Sequence, residues 1–522
     1  MNFSNLSTLD FNALKPYWRY VLVAVLLLIV SLLLVRACQV SQENQDVFLR
    51  YRPAMKPAFQ KDLEALTQTP RYDLDIQLDS KLDNLFGKAV IHVVNTSPDP
   101  WPYLVFRLYP MLGQYHGKMV LQSVAVGDQP VPYVYQAENT AMRMDLEAPL
   151  APQAAIDVHL VWRVEIPTWP DAADMYALFG KSQQMVSLPL FYPSLAVYQS
   201  GPAAATGHWW LEEGSVRGDA ALNLASLFVV TATMPSDQVP VTSGTLITST
   251  LIGKNQARHV WVTGPSREFL LQLSTQFRSA TADAYGTRVT SYWLPGQDAA
   301  GQAVLDYAVA ALRIYSDRYG PYPYSDLRFA PAALAYHGME YSQASLLGVE
   351  LYTDFRDDLE TRVAHEVAHQ WWYQMVGSDP VNEPWLDEAL AEYSVKLYME
   401  AMHGQAAADK LQNARWETPF EALQQDRADR ALNEPVKRFV STKQYETVVY
   451  DKGALLYDSI RKILGDRQFT RFLQSYLANH RYQIVDTNDW RATLRTLNNP
   501  KLDELYQDWV LPAPTGASPR NQ

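Results

Sequence analysis

His365 and His369 stand four positions apart in VAHEVAHQWW (Val363–Trp372), with Glu366 directly after the first. On a helix, positions i and i+4 share one face, so both imidazoles can reach one ion. Imidazole suits zinc, and the H-E-x-x-H pattern adds a glutamate placed to act as general base. Histidine pairs on helices are also common structural features, so the pattern needs further parts. A catalytic zinc takes a third protein ligand and keeps a fourth position open. Eighteen residues separate His369 from Glu388, near the start of PWLDEALAEYSVKLYMEAMHG. A helix–turn–helix can fold Glu388 back over the histidines. Glu392, one turn further along, shares its face and can hydrogen-bond a ligand histidine to fix its tautomer. The neighbours of Glu388 are largely apolar, where an unpaired carboxylate is costly.

The elements that must carry these residues are mainly helical from about Ser266 onward. GQAVLDYAVAALRIYSDRYG has helical apolar spacing and stops at Gly320; DDLETRVAHEVAHQWWYQMVG reads as one helix closing at Gly377. The Glu388 helix has Pro384 near its start and Gly404 at its end. YDKGALLYDSIRKILGD and DRQFTRFLQSYLANH continue the series, and a small strand region is expected near LRFAPAAL. Upstream, YDLDIQLDS alternates with period two, and further strand-like runs follow with Pro, Gly and Asp between them. The expected fold class is α+β: a β-sandwich or saddle-like sheet domain at 68–265, then a mainly α-helical domain at 266–511. Residues 39–67 read as a polar stalk with one short helix, and 512–522 as a disordered tail.

A chain of 522 residues exceeds one typical core, and 48% hydrophobic content fits a packed protein. A net charge of −12 without a long basic run argues against a nucleic-acid partner. Cys38 is the only cysteine, which excludes an intrachain disulfide and a Cys-ligated structural metal site. YVLVAVLLLIVSLLLV (Tyr20–Val35) is uncharged, with Lys15 and Arg19 before it and Trp18 and Tyr20 at its edge. Residues 1–38 thus read as a membrane element: an uncleaved single-pass anchor, a cleaved signal, or a lipoprotein signal ending at Cys38. Each places the bulk of the chain outside the cytoplasm. The oligomeric state is not encoded legibly.

The metal motif and Glu388, together with HGMEY (His337–Tyr341), WLDEALAEY and YDKGALL, resemble the gluzincin zinc aminopeptidases related to aminopeptidase N, the membrane alanyl aminopeptidases. Four motifs occur in order, and the likeness covers about residues 68–510. It implies a thermolysin-like catalytic domain with one zinc ion per chain, held by His365, His369 and Glu388, and Glu366 as general base. It further implies Tyr450 as a donor to the developing oxyanion and Glu340 as the group that holds the substrate's free α-ammonium. Backbone groups of Gly338 and Met339 would pair with the substrate main chain. Peptides are the implied substrates. Asp387, Ala389 and His337 depart from the usual Asn, Gly and Gly of these motifs, which bears on fine substrate geometry. A cationic His337 would compete for Glu340. The chain ends soon after the matched segments, so the cleft is expected to be open. The alternatives are a zinc endopeptidase and a non-catalytic, membrane-tethered peptide-binding protein; intact Glu366 and Tyr450 argue against the latter. The other histidines (His92, His116, His159, His208, His259, His403 and His480) lack ligand spacing.

Overall fold

The computed structural model describes residues 47–172, 175–200, 207–212, 218–335 and 337–512, with Val25, Leu26, Leu28 and Ser31. Most of the expected membrane element, Cys38 and the tail beyond residue 512 lie outside the described residues. Among the described residues, no helix is long and apolar enough to cross a membrane.

The N-terminal half is built on an eight-stranded sheet. Its central strands Arg71–Leu78 and Asn84–Val94 bury every second residue, as their period-two pattern dictates. Pairing is antiparallel except where Arg71–Leu78 runs parallel to Leu227–Pro235. A two-stranded sheet and two four-stranded sheets complete this half among the described residues. One joins Leu270–Ser274 to Met185–Pro189 and Val239–Thr242, so the β half reaches beyond the expected boundary at 265.

The C-terminal half does not open on helices. Arg278–Ala284 and Thr287–Trp293 form a hairpin that leads a five-stranded sheet with Asp326–Ala332, Ala344–Gly348 and the short edge strand Gly338–Met339. One group of strand residues, Ala330, Ala332, Ala344 and Leu346, packs into the β half's core; another, Val289, Leu327, Phe329 and Leu347, packs into the helical core. This sheet is therefore shared between the two. The helices start at Asp298–Tyr319, which ends at Gly320 as its pattern indicates.

The stalk expected at 39–67 is partly incorrect. Phe48, Tyr51, Ala54, Met55 and Leu63 are buried in the helical core, and Lys56 N–H donates to Pro323 O at 2.8 Å. Widely spaced anchors in a polar stretch give no periodic signal, because the surface they cover lies about 270 residues further along the chain.

The ligand helix is also shorter than expected: it spans Leu359–Ala368 and ends with His369 as its C-cap. Gln370 explains the stop. Its side chain donates to Tyr341 O at 3.2 Å and accepts from Gln343 N–H at 3.0 Å, and Tyr373 then adopts a φ of 150°. Aromatic burial at Trp371 and Trp372 hid this break in the sequence.

Glu388 and Glu392 lie on the helix Trp385–His403, and Tyr450 lies just before the helix Gly453–Leu464; these two helices pack together. They approach so closely at Gly453 that an added Cβ would overlap the Cβ of Ala389 and lie 3.2 Å from its Cα. Gly453 is helical, so alanine there gains about 1 kcal/mol of helix propensity but incurs overpacking of about 1–3 kcal/mol. The obstacle is a backbone-anchored methyl, which cannot swing aside. Gly453→Ala should lower the thermal midpoint, measured by calorimetry, and should weaken metal retention because Glu388 adjoins the crossing; an unchanged or raised midpoint refutes this close-packing account.

Candidate active site

His365 and His369 bring their Nε2 atoms to 3.0 Å, and Glu388 Oε2 lies 3.3 Å from each. A tetrahedral zinc with bonds of about 2.0–2.1 Å needs donor atoms about 3.3 Å apart. The triangle therefore has the edge length of one face of such a site. All three residues are buried. The pair of helices that supplies them is closed by the turn at 369–384, and Glu388 sits in the first turn of its helix, where the helix dipole favours a carboxylate.

Each ligand is tied through its other polar atom. His365 Nδ1 lies 3.1 Å from Glu392 Oε2, and His369 Nδ1 lies 2.9 Å from Trp372 O. Donation from each Nδ1 leaves the Nε2 lone pair directed at the common centre. Tyr450 donates its hydroxyl to Glu388 Oε1 at 2.6 Å. Glu392 is held in turn by Trp416 Nε1 at 2.8 Å and Arg415 Nη2 at 3.2 Å. Both supporting groups come from π turns: Asn413–Glu417 presents Arg415 and Trp416, and Thr447–Lys452 presents Tyr450. Such wide turns are frequent at functional sites.

The electrostatics ask for positive charge at the centre. Burial pushes Glu388 up, but hydrogen bonds from both histidines outweigh it and hold its carboxyl well below the usual range. Burial opposes charge on His369, yet Glu388, then Glu366 and Asp387, raise it to about 10. Two imidazoles with Nε2 atoms at 3.0 Å repel as imidazolium ions, so a divalent cation between them meets the demand better than two protons. The donor set of two imidazoles and one carboxylate fits zinc.

Glu366 lines the cleft beside this centre, and its buried Oε2 has no hydrogen-bond partner among the described residues. Burial raises its pKa, while His365 and His369 pull it back. A Cβ on Gly338 would meet the Glu366 carboxylate, which would have to shift to admit it. Gly338–Met339 pairs with Ala344–Gly348 on one side only, and both residues line the cleft. Glu340 is buried next to them and hydrogen-bonds Asp219. Oxygens of Asp219, Glu340 and Glu388 all lie within 4.8 Å of one another. Burial, then the field of Glu340, drives Asp219 well above the usual carboxyl range. Tyr450 is likewise raised well above its ordinary value by burial and by Glu388, which keeps its hydroxyl protonated as a donor.

The expected site residues thus meet in one cleft of about 450 Å³, apart from Glu392, which lies behind it. His337 does not act as a competing cation: burial and then the Arg362 charge lower it to about 4, leaving it neutral. Sequence reasoning missed Asp219, which sits in GSVRGDA with no recognisable spacing. It also missed that His116 reaches the cleft wall, although it is not among the ligands.

Residues 305–509 match the Peptidase family M1 domain. Over these residues the chain is similar to that domain. The chain is 25% identical over 302 residues to aminopeptidase M1-C of Oryza sativa subsp. japonica, covering 54% of this chain and 34% of that protein. It is 25% identical over 227 residues to endoplasmic reticulum aminopeptidase 1 of Homo sapiens, covering 39% and 23%. It spans about a quarter to a third of the length of these curated relatives. The fold is similar to an M1 zinc metallopeptidase from Deinococcus radiodurans, with a TM-score of 0.63 and 18% identity over 86% of this chain and 96% of that one. A mutant of that metallopeptidase solved with a Tyr-Ser-Ala substrate gives a TM-score of 0.64. All four sequence motifs lie within the residues that match.

Glu388→Ala removes one corner of the donor triangle, whereas Glu366→Gln leaves all three donors. After dialysis, zinc content measured by atomic absorption should fall sharply in the first and stay near one per chain in the second. Full occupancy in Glu388→Ala would assign the third donor to another residue.

Proposed function

We propose that the protein is a zinc-dependent aminopeptidase that removes N-terminal residues from peptides. The observation that carries this reading is the Glu340–Asp219 pair, set within 4.8 Å of Glu388 beside the donor triangle. A buried ammonium needs a compensating charge, because its desolvation otherwise opposes binding. A carboxyl pair this close to the reaction centre, sharing a proton until an ammonium arrives, leaves space for one residue of substrate between the free amine and the scissile bond.

Zinc, when bound by His365, His369 and Glu388, supplies Lewis acidity to the scissile carbonyl and to water. Glu366 takes the proton of the attacking water and passes it to the leaving amine. Its unpartnered Oε2 is free for that transfer. Tyr450 turns its hydroxyl from Glu388 to the oxyanion that develops at the carbonyl. The open edge of Gly338–Met339 pairs with the substrate main chain, as an added strand would. Glu340 and Asp219 fix the ammonium and thereby the register of cleavage. The uncharged run Tyr20–Val35 supports the further reading that the chain is membrane-attached, with its catalytic part outside the cytoplasm.

Tyr450→Phe keeps the ring and loses the donor. It should lower kcat by about 10²-fold or more with a smaller change in KM. An unaltered kcat would confine Tyr450 to packing against His365.

Matched free and N-acetylated peptides test the exopeptidase reading. Charge-assisted hydrogen bonds are worth about 1.5–3 kcal/mol, so the free amine should be preferred by about 10- to 200-fold in kcat/KM. Glu340→Gln and Asp219→Asn should each erase most of that preference. Equal rates on both peptides in the unmodified enzyme would replace the aminopeptidase with an endopeptidase.

A further inference from the structure

Five carboxylates line the cleft: Asp219, Glu340, Glu366, Glu388 and Glu446. Among the described lining residues, one side chain is a permanent cation, Arg362. It stands one helical turn before Glu366 on the ligand helix. Other charged groups near the centre are engaged, as Arg415 is with Glu392. The Arg362 side chain has no hydrogen bond or ion pair among the described residues, and its Nε is buried without a partner. Arg362 is half-buried on the cleft wall, and its guanidinium is shaped to receive a carboxylate through two parallel N–H groups.

The cleft is therefore bipolar. Asp219 and Glu340 govern each other at one end, with Glu388 adding to both. The Arg362 charge is felt instead at Glu366, His337 and Glu446. A ligand that satisfies both ends carries an ammonium and, further along, an anion. Extended chains span about 3.3–3.6 Å per residue, so two or three residues cover about 7–11 Å.

We infer that Arg362 receives a substrate carboxylate, so that the preferred substrates are free-amine peptides with a carboxylate one or two residues beyond the scissile bond. This rests on the aminopeptidase reading above and adds the substrate class. The carboxylate has two sources, the C-terminus of a di- or tripeptide and an acidic side chain in a longer one. A competing role for Arg362 is to bias the charge on Glu366, which would act on every substrate alike.

Equilibrium binding separates these roles without depending on turnover. Zinc-loaded Glu366→Gln protein is titrated calorimetrically with Ala-Ala, Ala-Ala amide, tetra-alanine amide and Ala-Glu-Ala-Ala amide. The carboxylate member of at least one pair should bind about 10- to 200-fold more tightly than its neutral partner, and which pair shows it identifies the source. Adding Arg362→Gln should bring that ratio close to one, while Arg362→Lys should keep part of it. Equal binding within both pairs, or a preference that survives Arg362→Gln, overturns the inference and leaves the aminopeptidase reading standing. Loss of binding for all four peptides overturns both.

Discussion

Two imidazole nitrogens and one carboxylate oxygen, buried and held within 3.3 Å of one another, set the terms for everything around them. Such a triangle is unstable unless a cation fills it and unless each ligand is prevented from turning away. The second condition is visible in the hydrogen bonds to Glu392, Trp372 O and Tyr450. It recruits a further layer, Arg415 and Trp416 on Glu392, and so reaches across three helices. A metal in this setting stabilises the fold as well as serving chemistry, because it binds the folded state alone.

The cleft also requires the two halves of the chain to keep a fixed relation, since Asp219 comes from one and Glu340 from the other. Arg267 supplies much of that fixity. Its guanidinium, fully enclosed, donates to carbonyls of Asn223, Tyr373, Met375 and Gln483, which lie on both sides of the join. Glu268 beside it accepts from Ser342 N–H at 2.6 Å and from the Tyr373 hydroxyl. Burial is the first influence on both residues, lowering Arg267 to about 10 and raising Glu268, and mutual attraction opposes it. Each has its own partners, so removing either one leaves those buried groups unpaired, at about 1–3 kcal/mol each.

What the sequence revealed and what it withheld divide along a physical line. His365, Glu366, His369, Glu388 and Glu392 lie on helices, where spacing alone fixes which side chains share a face. The amphipathic helix at Asp298–Tyr319 was legible for the same reason. Asp219 belongs to no periodic element, and its place is set by contacts 121 positions away at Glu340. The buried anchors Phe48, Tyr51 and Leu63 were read as linker because the core they join is also built far along the chain. The end of the ligand helix at Ala368 was hidden because Gln370 stops it through long-range hydrogen bonds while the apolar pattern continues. Strands at 278–293 were absorbed into a helical region because RSATADA carries no apolar alternation strong enough to mark a half-exposed edge.

The two π turns carry one consequence of a different kind. A π turn holds one residue more than an α turn, and one residue is worth about 100° of rotation around a helix axis. The face on which Tyr450 emerges is therefore counted along the chain, as is the face that offers Arg415 and Trp416. Chemistry at this centre depends on residue number as well as residue kind. A chain that loses a single position within Thr447–Lys452 can keep every functional side chain and still aim Tyr450 away from Glu388. Comparisons that score identity column by column are blind to that difference, whereas the gap itself records it.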